Sequence, residues 1–226
     1  MGRFYSGVIG ECNGKVGGIV IRSMNHKKFY SVRPSRYRKS VDPSALRTRN
    51  NFSAAARLAK FLIRIPTLCS IWKASSITGV SLYHKILKTN INRVKEGLLS
   101  ENCIVFPPSL YWLELNTSIV DNNCKVTFGK AESTMLRLFS KELILHLIFI
   151  LFSKDQNNED YYSLNKYCIK TNDISFEHGS ELLISLPDKL LQEIISAHKR
   201  VLFLTCISID ENDSPVAWTS SPSIIF

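Results

Sequence analysis

The 226-residue chain carries 29 Lys/Arg and 19 Asp/Glu and is 45% hydrophobic. That apolar content is enough for a packed core and excludes a disordered polyelectrolyte. The charge is unevenly divided: residues 1–100 hold 19 basic and 3 acidic side chains, net +16, while residues 101–226 hold 10 and 16, net −6. Such a division predicts two parts with different partners, the basic part facing a polyanion or an acidic protein surface.

Residues 1–33 read as short strands. "RFYSGVIGE" and "KVGGIVIRS" flank Cys12-Asn13-Gly14, and Asn-Gly tolerates the positive φ of a type I′ hairpin turn. "SMNHKK" supplies a second turn before "FYSVRP", so a small β-meander is expected. Gly17-Gly18 is expected to mark a bulge or a close approach of another backbone. The glycine-rich start is no phosphate loop. A Walker A motif places a glycine five residues before Gly14 and a hydroxyl after Lys15, where this chain has Ile9 and Val16, and a helix must follow. The dinucleotide motif also fails on spacing. "MGRFYSGVIGECNGK" has no continuous apolar run of the secretory type, so a cytoplasmic or particle-enclosed location with reduced thiols is expected.

"RPSRYRKSVDPSA" (33–45) reads as a basic, proline-containing connector. Basic and aromatic residues interleave here, as contacts to phosphates and stacking on bases require. The candidates are Lys27, Lys28, Arg33, Arg36, Tyr37, Arg38 and Lys39, with Phe29 and Tyr30 as further stacking rings.

A helix is expected from about Asp42, with Pro43 at its first position, to Pro66. Leu58, Phe61, Leu62 and Ile65 form its apolar face. Arg49, Arg57, Lys60 and Arg64 fall within an arc of roughly 80° beside that face, and with Arg47 they complete the candidate interface. A second helix is expected over "TGVSLYHKILKTNINRVKE", capped by Ser76 or Thr78 and stopped by Gly97.

Beyond Glu101 the texture turns to strands: "CIVFP", "LYWLEL", "CKVTFG", "TMLRLF", "LILHLIFILF", "SLNKYCIK", "ELLISLP", "RVLFLTCISI" and "PVAWTS". "PDKLLQEIISAHK" interrupts them as a short helix. "LILHLIFILF" is too short to span a bilayer as a helix and reads as a buried strand, with His146 a hydrogen-bonded core residue. The spacing predicts an antiparallel, Ig-like β-sandwich of about seven strands. The fold class expected is α+β: a basic region of meander, arm and two helices over 1–100, and the sandwich over 101–226.

Four segments carry a resemblance: "GECNGKVGGIV", "YSVRPSRYRKS", "RTRNNFSAAARLAKFL" and the block from "LPDKLLQEIISAHK" to the end. In these the chain resembles an uncharacterised family of small proteins, mainly from Bacteroidota, classed as a domain of unknown function. That family has a GKVG segment, a basic R-x-x-P stretch, an R-x-x-F helix and an Ig-like sandwich. The resemblance implies the architecture and no activity. This chain departs from it in lacking further glycines after GKVG and in the helical "LLQEIIS".

Catalytic chemistry finds little footing. Cysteines 12, 69, 103, 124, 168 and 206 make no CxxC or Cys/His cluster. Histidines 26, 84, 146, 178 and 198 are dispersed, "SFEHGSE" reads as a loop, and no G-x-S-x-G elbow occurs. The sequence therefore predicts a non-enzymatic structural or assembly protein without cofactor, metal or membrane span. Its basic half contacts nucleic acid or a partner subunit within a homo-oligomer or larger assembly, of phage or mobile-element type. The alternative is a free-standing, sequence-nonspecific nucleic-acid-binding protein, since no RNP motif, zinc finger or helix-turn-helix is present.

Overall fold

The structure, a computed structural model, describes residues 14–16, 18–24, 27–32, 41–109, 114–120, 123–130, 139, 142–154, 160–171, 174, 176, 178–210, 212, 214–220 and 224–225. The chain forms two compact units, residues 1–42 and 43–226. The sequence-based division at residue 100 is not where they part. The helices after residue 42 share a core with strands after residue 142, so the charge boundary runs through a single packed body.

The first unit is a three-stranded antiparallel sheet of β1 (Gly14–Val16), β2 (Ile19–Met24) and β3 (Lys27–Val32), in that order. Val16 pairs with Ile19, which brackets the β1–β2 turn at residues 17–18, the first of them outside the described residues. Asn13-Gly14 was the expected turn, but Gly14 instead lies within β1 opposite Ile21. A two-residue turn needs the unhindered backbone that Gly-Gly supplies. A Cβ on Gly18 would meet nothing within 4 Å, so no neighbouring backbone crowds it. Met24 pairs with Lys27, which brackets the second turn at residues 25–26, outside the described residues.

In the second unit, α1 (Pro43–Ile63) opens with proline at its first position. Pro66 ends the continuous helix, yet also starts α2 (Pro66–Ala74). The sequence reading missed this helix because proline reads first as a terminator. Its fixed φ equally suits a new first turn, and Leu68, Ile71 and Trp72 bury at helical spacing. α3 (Leu82–Asn90) is capped by Ser81, whose Oγ accepts from the His84 N–H at 3.3 Å; neither Ser76 nor Thr78 caps it. Upstream, Gly79 passes so close to Lys85 that a Cβ there would lie 2.8 Å from its Cγ and 2.9 Å from its backbone N. α3 runs into a 3₁₀ turn at Ile91–Arg93 and so stops before Gly97.

The strands are β4 (Leu115–Val120), β5 (Asn123–Phe128), β6 (Leu143–Lys154), β7 (Asp160–Thr171), β8 (Ser180–Ser185), β9 (Lys199–Ile209), β10 (Pro215–Ser220) and β11 (Ile224–Ile225). Helix α4 (Asp188–Ser196) lies between β8 and β9. One sheet has the order β10-β9-β6-β7, with β11 also on β9; the other is β4-β5-β8, and the pairings are antiparallel throughout. The protein is thus a mixed α+β molecule.

The sheet containing β6 is covered on both faces. Ile144, Ile148, Ile150 and Phe152 join the cluster with Leu58, Leu62, Leu68, Ile71 and Trp72 of the helices. Leu143, Leu145, Leu147, Phe149 and Leu151 join the cluster with Val126 and Phe128 of β5 and Leu190 and Ile194 of α4. The alternation of a strand sends successive residues to opposite layers, which is why β6 reads as an unbroken apolar run.

"CIVFP" is not a strand. Cys103, Val105 and Phe106 are buried, but side chains satisfy this segment's backbone. The Ile104 N–H donates to Asn90 Oδ1 at 2.7 Å, Asn90 Nδ2 donates to the Ile104 carbonyl at 2.9 Å, and Trp72 Nε1 donates to the Val105 carbonyl at 3.0 Å. Buried backbone groups need partners, and none of these three is another strand. "TMLRLF" lies outside the described residues apart from Phe139, which is buried. "LYWLEL" is described only from Glu114, and its Leu115 begins β4.

Candidate nucleic-acid interface

Helix α1 carries four of the candidate residues, Arg47, Arg49, Arg57 and Lys60, and Arg64 follows directly in the turn after it; all five are exposed. Its buried residues are Ala54, Ala55, Leu58, Ala59 and Leu62. At 100° per residue, that face is centred about 170° from the arc of Arg49, Arg57, Lys60 and Arg64. The basic stripe therefore runs along the back of the helix rather than beside its apolar face, because small alanines at 54, 55 and 59 carry much of the contact with the body. Arg47 falls at the angle of the buried face, but two turns before that face begins.

No residue of α1 before Ala54 is buried. The turn at 95–98, closed by the Lys95–Leu98 backbone pair, touches the helix at Asn50 and Asn51. There the Gly97 N–H donates to Asn51 Oδ1 at 2.8 Å. Gly97 has φ +79°, and a Cβ would meet Asn50 Cβ at 3.0 Å, so glycine is needed on both counts. Residues 43–49, about two turns or 10 Å of helix, precede this tie.

The charge of α1 is unbalanced along its length: Pro43–Ile63 contains no Asp or Glu. Ion pairs in the rest of this unit include Lys125–Glu181 at 2.8 Å, Lys170–Glu142 at 4.0 Å, His198–Asp160 at 3.6 Å and Lys199–Glu101 at 3.4 Å. Arg57, at the edge of the basic arc, turns its guanidinium onto the body, its carbon 5.1 Å from the centroid of the buried Tyr162 ring. Arg49 Nε donates to the Ala45 carbonyl at 3.3 Å.

The remaining candidates are placed less fully. Lys27 is exposed on β3. Lys28 is the next residue of that strand, and its side chain lies outside the described residues, as do Arg33, Arg36, Tyr37, Arg38 and Lys39 altogether. In the first unit Arg22 lies opposite half-buried Phe29, and Lys27 lies two residues along β3 on the same face. The sequence reading omitted Arg22; the strand period would have placed it beside Phe29 once the register was known.

Further basic residues of the helical layer are exposed, namely Lys73, Lys88, Arg93 and Lys95. Lys85 is diverted to structure. Its ammonium donates to the carbonyls of Trp72, Lys73 and Ser75, each at 3.3 Å, so it caps the C-terminal end of α2, where the dipole favours a cation.

The buried polar groups have structural settings. His146 is 3% exposed on the helix-facing side of β6, and its Nε2 is 2.7 Å from Thr67 Oγ1 on α2. Its Nδ1 is buried without a hydrogen-bond partner. Burial first, and Lys166 second, push its pKa down to about 4, so the ring is neutral at physiological pH. Cysteines 69, 103, 124, 168 and 206 are free thiols. Burial raises Cys124 to about 11 and raises Cys206 further still, so these two thiols are poor nucleophiles. Among the described residues no group of three or more His, Cys, Asp or Glu side chains could hold a metal ion. Also among them, no helix is long and apolar enough to cross a membrane.

Two open hollows lie away from the α1 stripe. One, of about 750 Å³, is bordered by Val80, His84, Leu87, Lys88 and Ile91; the other, of about 410 Å³, by Ser153, Lys154, Tyr161, Ser196 and His198. In the second, Ser196 Oγ donates to the Glu193 carbonyl at 3.0 Å and so is directed into its own helix. No protein-family model matches the chain, and neither a curated protein nor a solved structure is detectably similar to it.

Proposed function

We propose that this is a non-enzymatic protein that binds nucleic acid through the basic back of α1 and serves a structural or assembly role. The observation that carries the reading is the stripe itself. Arg49, Arg57 and Lys60, with Arg64 in the turn that follows, are exposed along one side of a helix that contains no acid and is packed on its opposite side. A surface of one sign attracts a polyanion by releasing its counterions. The basic connector 33–39 extends the same chemistry in the sequence.

The body fits an Ig-like sandwich in strand order. With β4 to β10 named A, B, C, C′, E, F and G, the sheets are A-B-E and G-F-C-C′, the arrangement in which the fourth strand joins C on the F–G sheet. The shared cluster of Leu115, Val126, Ile184, Leu147 and Leu204 supports face-to-face packing of these sheets. This order also favours the resemblance to the uncharacterised Bacteroidota family, whose sandwich is of that kind. Such bodies present adhesive or decorating surfaces, so a homo-oligomer or a larger particle of phage or mobile-element origin is the fitting context, in a cytoplasm or a virion. A free-standing nonspecific nucleic-acid-binding protein is the second reading, favoured by the net +16 of residues 1–100 alone.

Fluorescence anisotropy with labelled oligonucleotides tests the binding, titrated from about 50 to about 300 mM salt. Affinity that falls steeply with salt supports it, and absence of binding at the lowest salt rejects it. Light scattering after gel filtration separates the two readings: a defined oligomer supports assembly, a monomer the free-standing protein.

A further inference from the structure

We propose that α1 takes double-stranded DNA of B form, its basic back lying in the major groove, in preference to a single strand or an RNA duplex. The inference deepens the nucleic-acid reading and rests on it.

Shape is the first argument. α1 is a continuous helix of 21 residues, about 31 Å long and 10–12 Å across with its side chains. A B-form major groove is about 12 Å wide and admits one such helix. The helix is anchored on one side by Ala54, Ala55, Leu58, Ala59 and Leu62, so its back is presented as a rigid ridge. The turns ahead of the tie at Asn51 contain no buried residue.

Charge and its placement come second. Arg49 and Lys60, with Arg64 in the turn that follows, occupy the ridge and meet phosphates on the groove walls, while exposed Ser53 lies in the same arc between them. The absence of Asp and Glu from the helix removes repulsion along its whole length.

The third argument separates the nucleic-acid classes. Proteins that hold single strands combine cations with aromatic platforms on which bases stack. Among the described Phe, Tyr and Trp residues of the helical layer, Phe52 is the one prominently exposed, at 47%, and it lies about 60° outside the basic arc. The ridge therefore offers phosphate contacts without stacking. An RNA duplex fails for shape, because its A-form major groove is too deep and narrow for side chains on a helix to read.

The test uses the full chain and four labelled probes of one sequence, about 20 bp or nucleotides long: duplex DNA, duplex RNA and each single DNA strand. The expected result is duplex DNA bound about tenfold or more tighter than the others, with a major-groove dye such as methyl green competing and the minor-groove ligand netropsin not. The triple substitution Arg49→Gln, Lys60→Gln, Arg64→Gln alters only exposed positions. It should lower the slope of log affinity against log salt by about 2 to 3, at about 0.9 per phosphate contact. Lys125→Gln on β5 should leave that slope unchanged. Equal or tighter binding of a single strand or of duplex RNA, competition by netropsin alone, or an unchanged slope in the triple variant would overturn the groove assignment while leaving nucleic-acid binding intact. Failure of all four probes to bind at about 50 mM salt would instead remove the parent reading.

Discussion

The two layers that cover the sheet of β6 have opposite electrical character. Residues 43–106, the helical layer and its trailing loop, contain ten Lys/Arg and two Asp/Glu; residues 115–130 and 180–196, the layer of β4, β5, β8 and α4, contain three and four. Both layers bury comparable aliphatic side chains against the same strand. Their charge therefore reflects what each exposes and not how each packs. Net charge bears on partners and not on fold, and alternate residues of β6 pack against the two layers alike.

That comparison can be broken first at the core. Leu147 and Ile148 are adjacent, fully buried and directed to opposite layers. Leu147→Ala and Ile148→Ala should each cost about 2–5 kcal/mol in urea unfolding. The two layers form one cooperative unit if both variants lower the midpoint in a single transition. A biphasic curve for either variant would mean that the layers unfold separately.

Next in size is charge reversal on the basic side. Arg49→Glu with Arg64→Glu should weaken polyanion binding by about 100-fold at low salt, with unfolding changed by no more than about 0.5 kcal/mol since both positions are exposed. Reversal of Lys125 on the other layer should alter binding less than about twofold. Similar losses from both layers would dissolve the distinction between them.

The third prediction concerns pH. The His146 ring has a pKa of about 4 in the fold, below its ordinary value near 6.5. Between these values the unfolded chain binds the additional proton, so stability falls as pH drops from about 6.5 to about 4 and is fully retained above 6.5. The loss approaches roughly 3.5 kcal/mol below pH 4, at about 1.4 kcal/mol per pKa unit. Carboxylates titrate in the same range, so the measurement is the difference between wild type and His146→Gln. That difference should vanish if the ring is not held neutral against Thr67.

The smallest effect lies at the α2 end. Lys85→Met keeps the stem that packs near Gly79 and removes the ammonium from three carbonyls, which should cost about 0.5–1.5 kcal/mol of thermal stability. Lys88→Met on the same helix, with an exposed side chain, should cost less than about 0.5 kcal/mol. Equal costs would return Lys85 to the pool of ligand-facing cations.

Much of the fold was legible because one physical pattern controlled it. β6 and β9 announce themselves as continuous apolar runs, since both faces of each strand are covered. β5 alternates in its burial because one face is covered. α4 shows helical spacing at Leu190, Leu191 and Ile194. Legibility failed where a residue could serve two ends. Pro66 stops one helix and starts another, Asn13-Gly14 and Gly17-Gly18 both suit a tight turn, and "CIVFP" has strand composition but binds its backbone to Asn90 and Trp72. At the candidate interface the α1 stripe followed from the helical period alone. The omission of Arg22 and the different duty of Lys85 depended on strand register and on the packing of α3 against α2.

By itself, then, the sequence determined the charge division, the period of each long element and the absence of a nucleotide-loop motif, because these are properties of residue types at fixed local spacing. Only the tertiary structure decided that the helices belong to the body rather than to a separate basic domain, and that Arg49 and Lys60 lie opposite the packed face of α1 while Arg57 turns onto Tyr162. Both outcomes depend on which apolar surfaces meet. Ile144, Ile148 and Phe152 need cover as much as Leu58 and Leu62 do, and no spacing along the chain states that they cover one another.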